Sequence, residues 1–235
     1  TAGLAGFRHV SGDRAKNYIV EATGSGVATF DYDDDGLADI YLLNGSTLDL
    51  VRSGRPAPRA AFYRNTGGGV FRDVTAETGL ANERWGQGVC VGDIDNDGDE
   101  DIYVTNFGVN RLYRTDGGTF TDISEGSGVL VRTPDLKAPV AKSLGVAPYD
   151  VDGDGLIDLA VANDTVPNFF FHNLGGGKFE EMGISCGVAF DQAGSARGAM
   201  GIDWADFKND GSLGLAIGNF ANEMIAFYVA DDPKD

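Results

Sequence analysis

Apolar and β-branched residues along this chain fall in short runs of strand length, and no stretch repeats at the spacing of a long amphipathic helix. Gly26-Val-Ala-Thr-Phe30, Gly88-Val-Cys-Val-Gly92 and Gly145-Val-Ala-Pro-Tyr149 each precede a polar loop rich in Asp and Gly. Ile40-Tyr-Leu-Leu43, Ile102-Tyr-Val-Thr105 and Leu159-Ala-Val-Ala162 follow those loops. The pattern predicts three β-hairpins. After each comes an asparagine (Asn44, Asn106, Asn163), then an aromatic run: Ala61-Phe-Tyr-Arg64, Arg111-Leu-Tyr-Arg114 and Asn168-Phe-Phe-Phe-His172. A glycine turn and one more strand close each unit. A fourth hairpin begins at Gly201 and is followed by Asn219.

The hairpins start at Gly26, Gly88, Gly145 and Gly201, spacings of 62, 57 and 56 residues. Four short strands at such a period describe a propeller blade. The predicted fold is therefore all-β, a β-propeller of four-stranded antiparallel blades. About four blades are expected in one segment spanning 1–235. Residues 1–25 end a preceding blade and lead in, blade 1 spans 26–80, blade 2 spans 88–129, blade 3 spans 145–188, and an incomplete blade 4 spans 201–235. Thr1-Ala-Gly-Leu4 matches the tail of Thr75-Ala-Glu-Thr-Gly-Leu80, and Glu223 to Val229 reads as a third strand. The expectation is part of a larger propeller, supplied by a longer polypeptide or by several chains; a closed four-bladed ring is the alternative.

The hairpin loops carry the chemistry. Three share one nine-residue pattern, with Asp at positions 1, 3, 5 and 9 and Gly at position 6. These are Asp31, Asp33, Asp35 and Asp39; Asp93, Asp95, Asp97 and Asp101; and Asp150, Asp152, Asp154 and Asp158. Two unit charges about 4 Å apart repel by on the order of 4 kcal/mol at an effective dielectric of about 20. Such a cluster calls for a hard cation, and Ca2+ suits it best, taking six to eight oxygens in irregular geometry. Backbone carbonyls at position 7 (Leu37, Asp99, Leu156) complete the expected ligand set. An EF-hand is excluded: position 12 is Leu42, Val104 or Val161 rather than Glu, and strands flank the loops. The fourth loop, Asp206 to Gly214, has Lys208 at position 3 and Gly at position 9, so no calcium is expected there. About three ions per chain follow.

Composition narrows the function. The chain has 235 residues and a formal net charge of −18, which argues against nucleic acid as a partner. No apolar run is long enough for a membrane span. The two cysteines, Cys90 and Cys186, are expected to be free and buried.

These loops and their flanking strands resemble the FG-GAP/VCBS repeat class, whose calcium-loop blades also occur in integrin α-subunit propellers. Within it, Gly6-Phe-Arg-His-Val-Ser-Gly-Asp13, Gly24 to Asp33 and Phe71 to Leu80 resemble the ASPIC/UnbV, cartilage acidic protein-like family. The resemblance implies secreted or surface-bound calcium-binding interaction proteins without one settled activity.

Catalytic candidates are few. His172 lies in an aromatic strand and reads as packed or hydrogen-bonded, and His9 reads as a surface residue. Trp85 and Trp204 read as core. The strand 2–3 and inter-blade connections would share one face, opposite the acidic hairpins. They hold 12 of the 18 Lys and Arg (Arg8, Arg14, Lys16, Arg52, Arg55, Arg59, Arg84, Arg111, Arg132, Lys137, Lys142, Arg197) with only seven acids. The leading expectation is a calcium-stabilised, non-enzymatic binding or adhesion module, extracellular, cell-surface or periplasmic. Its basic loop face would meet an anionic glycan, an acidic protein surface or another copy of the chain. Alternatives are a carbohydrate-active enzyme using a loop-face acid such as Asp135 or Asp164, and a structural filament subunit.

Overall fold

A computed structural model describes residues 2–4, 6–133 and 140–229. Lys137 and Asp135 lie outside the described residues. The strands form four antiparallel sheets in chain order. The first contains β1 (Val27–Phe30), β2 (Asp39–Leu42), β3 (Ala61–Asn65) and β4 (Phe71–Asp73); the second β5 (Gly86–Gly92), β6 (Asp101–Asn106), β7 (Arg111–Asp116) and β8 (Thr119–Asp122). The third contains β9 (Ser143–Tyr149), β10 (Asp158–Asn163), β11 (Phe169–Gly175) and β12 (Lys178–Glu181). The fourth shows three strands among the described residues, β13 (Ala199–Asp206), β14 (Leu213–Asn219) and β15 (Ala226–Val229).

The first strands of successive sheets pack together, β1 beside β5, β5 beside β9 and β9 beside β13, so the sheets are propeller blades around a shared axis. Glycine sets that approach. A Cβ on Gly26 would stand 3.1 Å from Gln87 O, on Gly88 2.6 Å from Leu144 O, and on Gly145 3.0 Å from Met200 O.

The core sits between blades. Phe30, Tyr41, Phe62 and Leu80 pack against Ile102, Val104, Tyr113 and Phe120. Tyr103 and Leu112 then meet Leu159, Val161, Phe169 and Phe171, and Ala160, Ala162 and Phe170 meet Leu215 and Ile217. Successive residues of one strand point to opposite faces. Ile102 and Val104 therefore face one neighbour while Tyr103 faces the other, and every residue of β6 and of β10 is buried. That is why the second strands read as unbroken apolar runs. One position differs in exposure between the third and fourth sheets. Phe62, Leu112 and Phe170 occupy equivalent places, opposite Tyr41, Tyr103 and Ala160, and are 0, 0 and 7% exposed. Phe227, opposite Ala216, is 50% exposed.

In the first and third blades a buried asparagine ties the end of the second strand to its surroundings. Asn44 Oδ1 accepts from Val10 N, and its amide donates to the carbonyls of Arg8 and Arg59. Asn163 Oδ1 accepts from Lys142 N and Ser143 Oγ. Each ties the connection after a second strand to the segment entering the blade. A short helix, α1 (Leu48–Arg52), capped by Thr47 Oγ1 on Leu50 N, occupies the first such connection, which the sequence reading leaves as loop. Among the described residues, no helix is long and apolar enough to cross a membrane. Cys90 and Cys186 are free; Cys186 is exposed, contrary to expectation, because it lies in a turn, 184–187, that is exposed throughout, whereas burial pushes the Cys90 thiol up to about 12.

Candidate metal centres

Each acidic loop is folded by its own carboxylates. Asp31 accepts from the backbone N–H groups of Asp35 and Gly36, and Asp35 accepts from Leu37 N. Asp93 and Asp97 repeat this with Asp97, Gly98 and Asp99, and Asp150 and Asp154 with Gly155 and Leu156. Position 6 is left-handed in every loop, and so is position 4: Asp34, Asn96, Gly153 and Asn209 have φ of 54, 57, 74 and 58°. Only Gly, Asn and Asp take that conformation readily, a signal the sequence carries at position 4 that the ligand pattern alone overlooks.

Position 9 has a second task. Asp39 accepts from Tyr32 N at 3.2 Å and Asn65 N at 2.6 Å. Asp101 accepts from Ile94 N at 3.0 Å and Thr115 N at 2.7 Å, and Asp158 from Val151 N at 3.1 Å and Asn173 N at 2.8 Å. One buried carboxylate thus stitches the loop to the third strand of its blade. An ionised carboxylate has about four lone-pair sites, so these bonds leave capacity for a cation.

Three carboxylates converge in each loop: Asp31, Asp33 and Asp39; Asp93, Asp95 and Asp101; Asp150, Asp152 and Asp154. In each group one oxygen from every residue lies within 4.8 Å of the others. Ca2+–oxygen distances of about 2.3–2.6 Å place opposite ligands about that far apart. The third group draws on position 5, and its position-9 residue, Asp158, meets His172 Nδ1 at 3.2 Å. Asp33 Oδ1 and Asp95 Oδ1 are buried and accept no hydrogen bond among the described residues. Such orphaned acceptors are costly in a folded protein, and a cation would satisfy both. The donor set therefore fits a hard divalent ion.

The electrostatics agree. Burial, reinforced by neighbouring acids, holds the Asp33 and Asp95 carboxyls above the usual range, against the opposing pull of Arg64 and Arg114. Asp101 is pushed up to about 7, first by burial, although Thr115 N and Ile94 N favour its charged form. Burial raises Asp39 and Asp158 as well.

A basic residue that the sequence reading does not assign stands beside each loop. Continued by one residue, the strand register brings Asp39 level with Arg64, Asp101 with Arg114 and Asp158 with His172. Arg64 Nε lies 2.7 Å from Asp33 Oδ2 and Nη2 lies 2.9 Å from Asp35 Oδ2. His172 Nδ1 lies 3.8 Å from Asp152 Oδ2. The fourth loop keeps the shape without the cage. Asp206 still accepts from Asp210 N and Gly211 N, but Gly214 pairs with Val229. A Cβ on Gly214 would stand 2.6 Å from Phe227 and 2.9 Å from Phe207, so aromatic rings fill the space of the ninth-position carboxylate. Lys208 Nζ lies 4.9 Å from the Phe207 ring centre.

On the opposite face the expected cations are partly spent within the chain. Arg59 pairs with Asp73 at 2.8 Å, Arg111 with Asp122 at 3.0 Å, Arg132 with Glu125 at 2.6 Å, and Arg197 with Asp191. Asp73 and Asp122 are the last residues of β4 and β8, which end on this face; loop windows drawn from sequence miss them. Asp164 lines a recess of about 20 Å³, room for no more than a water. His9 bonds Ser25 Oγ at 3.0 Å. Trp85 is 2% exposed, and Trp204 packs at the third junction.

Comparison with known proteins places these features. The chain is 29% identical over 204 residues to cartilage acidic protein 1 of Mus musculus and of Homo sapiens, and over 211 residues to that of Xenopus tropicalis. These matches cover 83% of this chain, which spans about three tenths of the relatives' length (31%, 30% and 31%). A solved structure of an Agrocybe aegerita lectin, described as recognising non-reducing terminal N-acetylglucosamine, superposes with a TM-score of 0.47 at 19% identity, covering 89% of this chain and 49% of the lectin. The model of the FG-GAP-like repeat matches residues 31–104 and 150–217, which include all three acidic loops, and the chain belongs to that family.

Proposed function

We propose that this chain is a calcium-stabilised, non-enzymatic binding module that works extracellularly, at a cell surface or in the periplasm. Asp31, Asp33, Asp35 and Asp39 with the Leu37 carbonyl would hold one ion. Asp93, Asp95, Asp97 and Asp101 with the Asp99 carbonyl would hold a second, and Asp150, Asp152, Asp154 and Asp158 with the Leu156 carbonyl a third. Bound there, calcium supplies two positive charges against each acidic cluster and cross-links the two strands of a hairpin. The observation that carries this reading is the pair of buried, unpartnered oxygens on Asp33 and Asp95, at equivalent positions of two blades. Extracellular modules of this ligand type have dissociation constants of about 0.1–1 mM. Such sites fill outside cells and stay empty in cytosol, which supports the compartment.

The binding surface is the loop face opposite the acidic hairpins, where connections of a rigid scaffold converge. Its cations suit an anionic glycan, an acidic protein surface or the acidic face of another copy. Calcium titration by calorimetry, with elemental analysis after dialysis, tests the metal reading. Three ions per chain are expected, because Lys208, Gly214 and two aromatic rings disable the fourth loop. None, or four or more, would overturn it.

A further inference from the structure

We infer that the loop face carries a specific pocket for an acidic sugar unit, seated at the junction of the first and second blades. This inference rests on the binding-module reading above and gives it a location and a ligand class. A cavity of about 520 Å³ opens there, within the range of small-ligand sites. Its wall combines three chemistries. Arg55, Arg84 and Arg111 supply positive charge, Trp85 and Phe107 an aromatic inner surface, and Asn82 a buried amide.

The three arginines are not equivalent. Arg111 is held by Asp122 through Nε and by the Asn110 carbonyl through Nη1 at 3.3 Å. Arg55 Nε donates to Ser53 Oγ at 2.9 Å and is exposed. Arg84 is half-buried, and among the described residues its guanidinium has neither an ion pair nor a hydrogen bond; Asp122 acts on it only through space and is already engaged by Arg111. Burial, and then repulsion from Arg111, disfavours its charge. Glu83 also lines the cavity but is exposed. A half-buried guanidinium without an anion is a ready partner for a planar carboxylate, which its fork grips with two bonds.

Asn82 braces the wall of the cavity from beneath. It is 1% exposed, and its Nδ2 donates to Asn106 Oδ1 at 2.9 Å. Asn106 Nδ2 in turn donates to the Val109 carbonyl at 3.1 Å, which fixes the orientation of both amides. Asn82 Oδ1 is thereby left as a buried acceptor with no donor. A carboxylate for Arg84 and a ring against the Trp85–Phe107 wall together describe a uronic acid residue.

Tryptophan emission gives a local readout, because Trp85 and Trp204 are the only tryptophans. In a Trp204→Phe background at saturating calcium, a glucuronate-containing disaccharide is expected to shift Trp85 emission saturably, and its neutral counterpart is not. Arg84→Gln should weaken binding at least tenfold, and Arg84→Lys, which keeps charge but loses the fork, should fall between. Calcium stoichiometry and melting temperature, unchanged in both variants, would show the fold intact. No saturable response, or equal binding by Arg84→Gln, overturns the pocket. Stronger binding of a sulfated disaccharide or of a glutamate-rich peptide would overturn the uronate assignment. A long acidic polysaccharide that binds wild type and Arg84→Gln alike would remove the pocket while sparing the basic-face reading; failure of every acidic probe would remove both.

Discussion

Replacing Asp95 by asparagine should lower stability in calcium and leave it unchanged or slightly raised without it. The substitution keeps the shape of the side chain and removes one charge. In chelator, that charge sits in a partly desolvated place beside Asp97 and Asp93, with Arg114 as partial compensation. A like-charge pair at about 4 Å costs up to about 4 kcal/mol at an effective dielectric of about 20. Both neighbours are solvated enough that about 1 kcal/mol or less is the realistic relief. The variant should therefore match wild type in chelator or exceed it slightly. With calcium near about 10 mM, roughly 100 times a dissociation constant of about 0.1 mM, each site contributes about 2.7 kcal/mol. If loss of the ligand weakens the site about 100-fold, about 0.4 kcal/mol remains. The deficit, about 2.3 kcal/mol, corresponds to a melting point about 5–9 °C lower for a domain of this size. Scanning calorimetry in calcium and in EGTA measures both arms. An equal fall in the two media would make Asp95 a packing residue and refute the ligand role; no change in either would refute it as well.

Calcium-free stability should fall as pH rises. Asp101 has a folded pKa pushed up to about 7 against 3.8 for the ordinary group, so the apo fold favours the neutral acid. Its stabilising contribution is full below about 4 and is lost as pH climbs through about 7, on the order of 4 kcal/mol. Bound calcium would hold the charged form and flatten this dependence, so the calcium-induced rise in melting temperature should be larger at pH 8 than at pH 5. A chelated protein that grows more stable with rising pH would contradict the argument. Equivalent core positions should differ in cost. Phe170→Ala removes a ring 7% exposed and should destabilise by about 3–5 kcal/mol, whereas Phe227→Ala, 50% exposed, should cost about half or less in urea unfolding. Similar costs would mean that Phe227 is covered in solution.

Sequence alone determined the period, the strand order within each unit and the ligand pattern, because these are local properties. Alternation, turn residues and carboxylate spacing act within ten residues or so. It also marked the fourth loop as defective, from Lys208 and Gly214. What it did not decide were relations across strands and between blades. The pairing of position 9 with Arg64, Arg114 and His172 depends on register, and the double duty of Asp39, Asp101 and Asp158 depends on third-strand N–H groups brought to them from elsewhere in the chain. The counterions Asp73 and Asp122 join the basic face only because the fourth strands end there. The cavity beside Arg84 exists only where two blades meet. Packing brings together residues tens of positions apart, and one-dimensional spacing holds no record of which of them end up sharing a wall, or of which guanidinium is left without an anion.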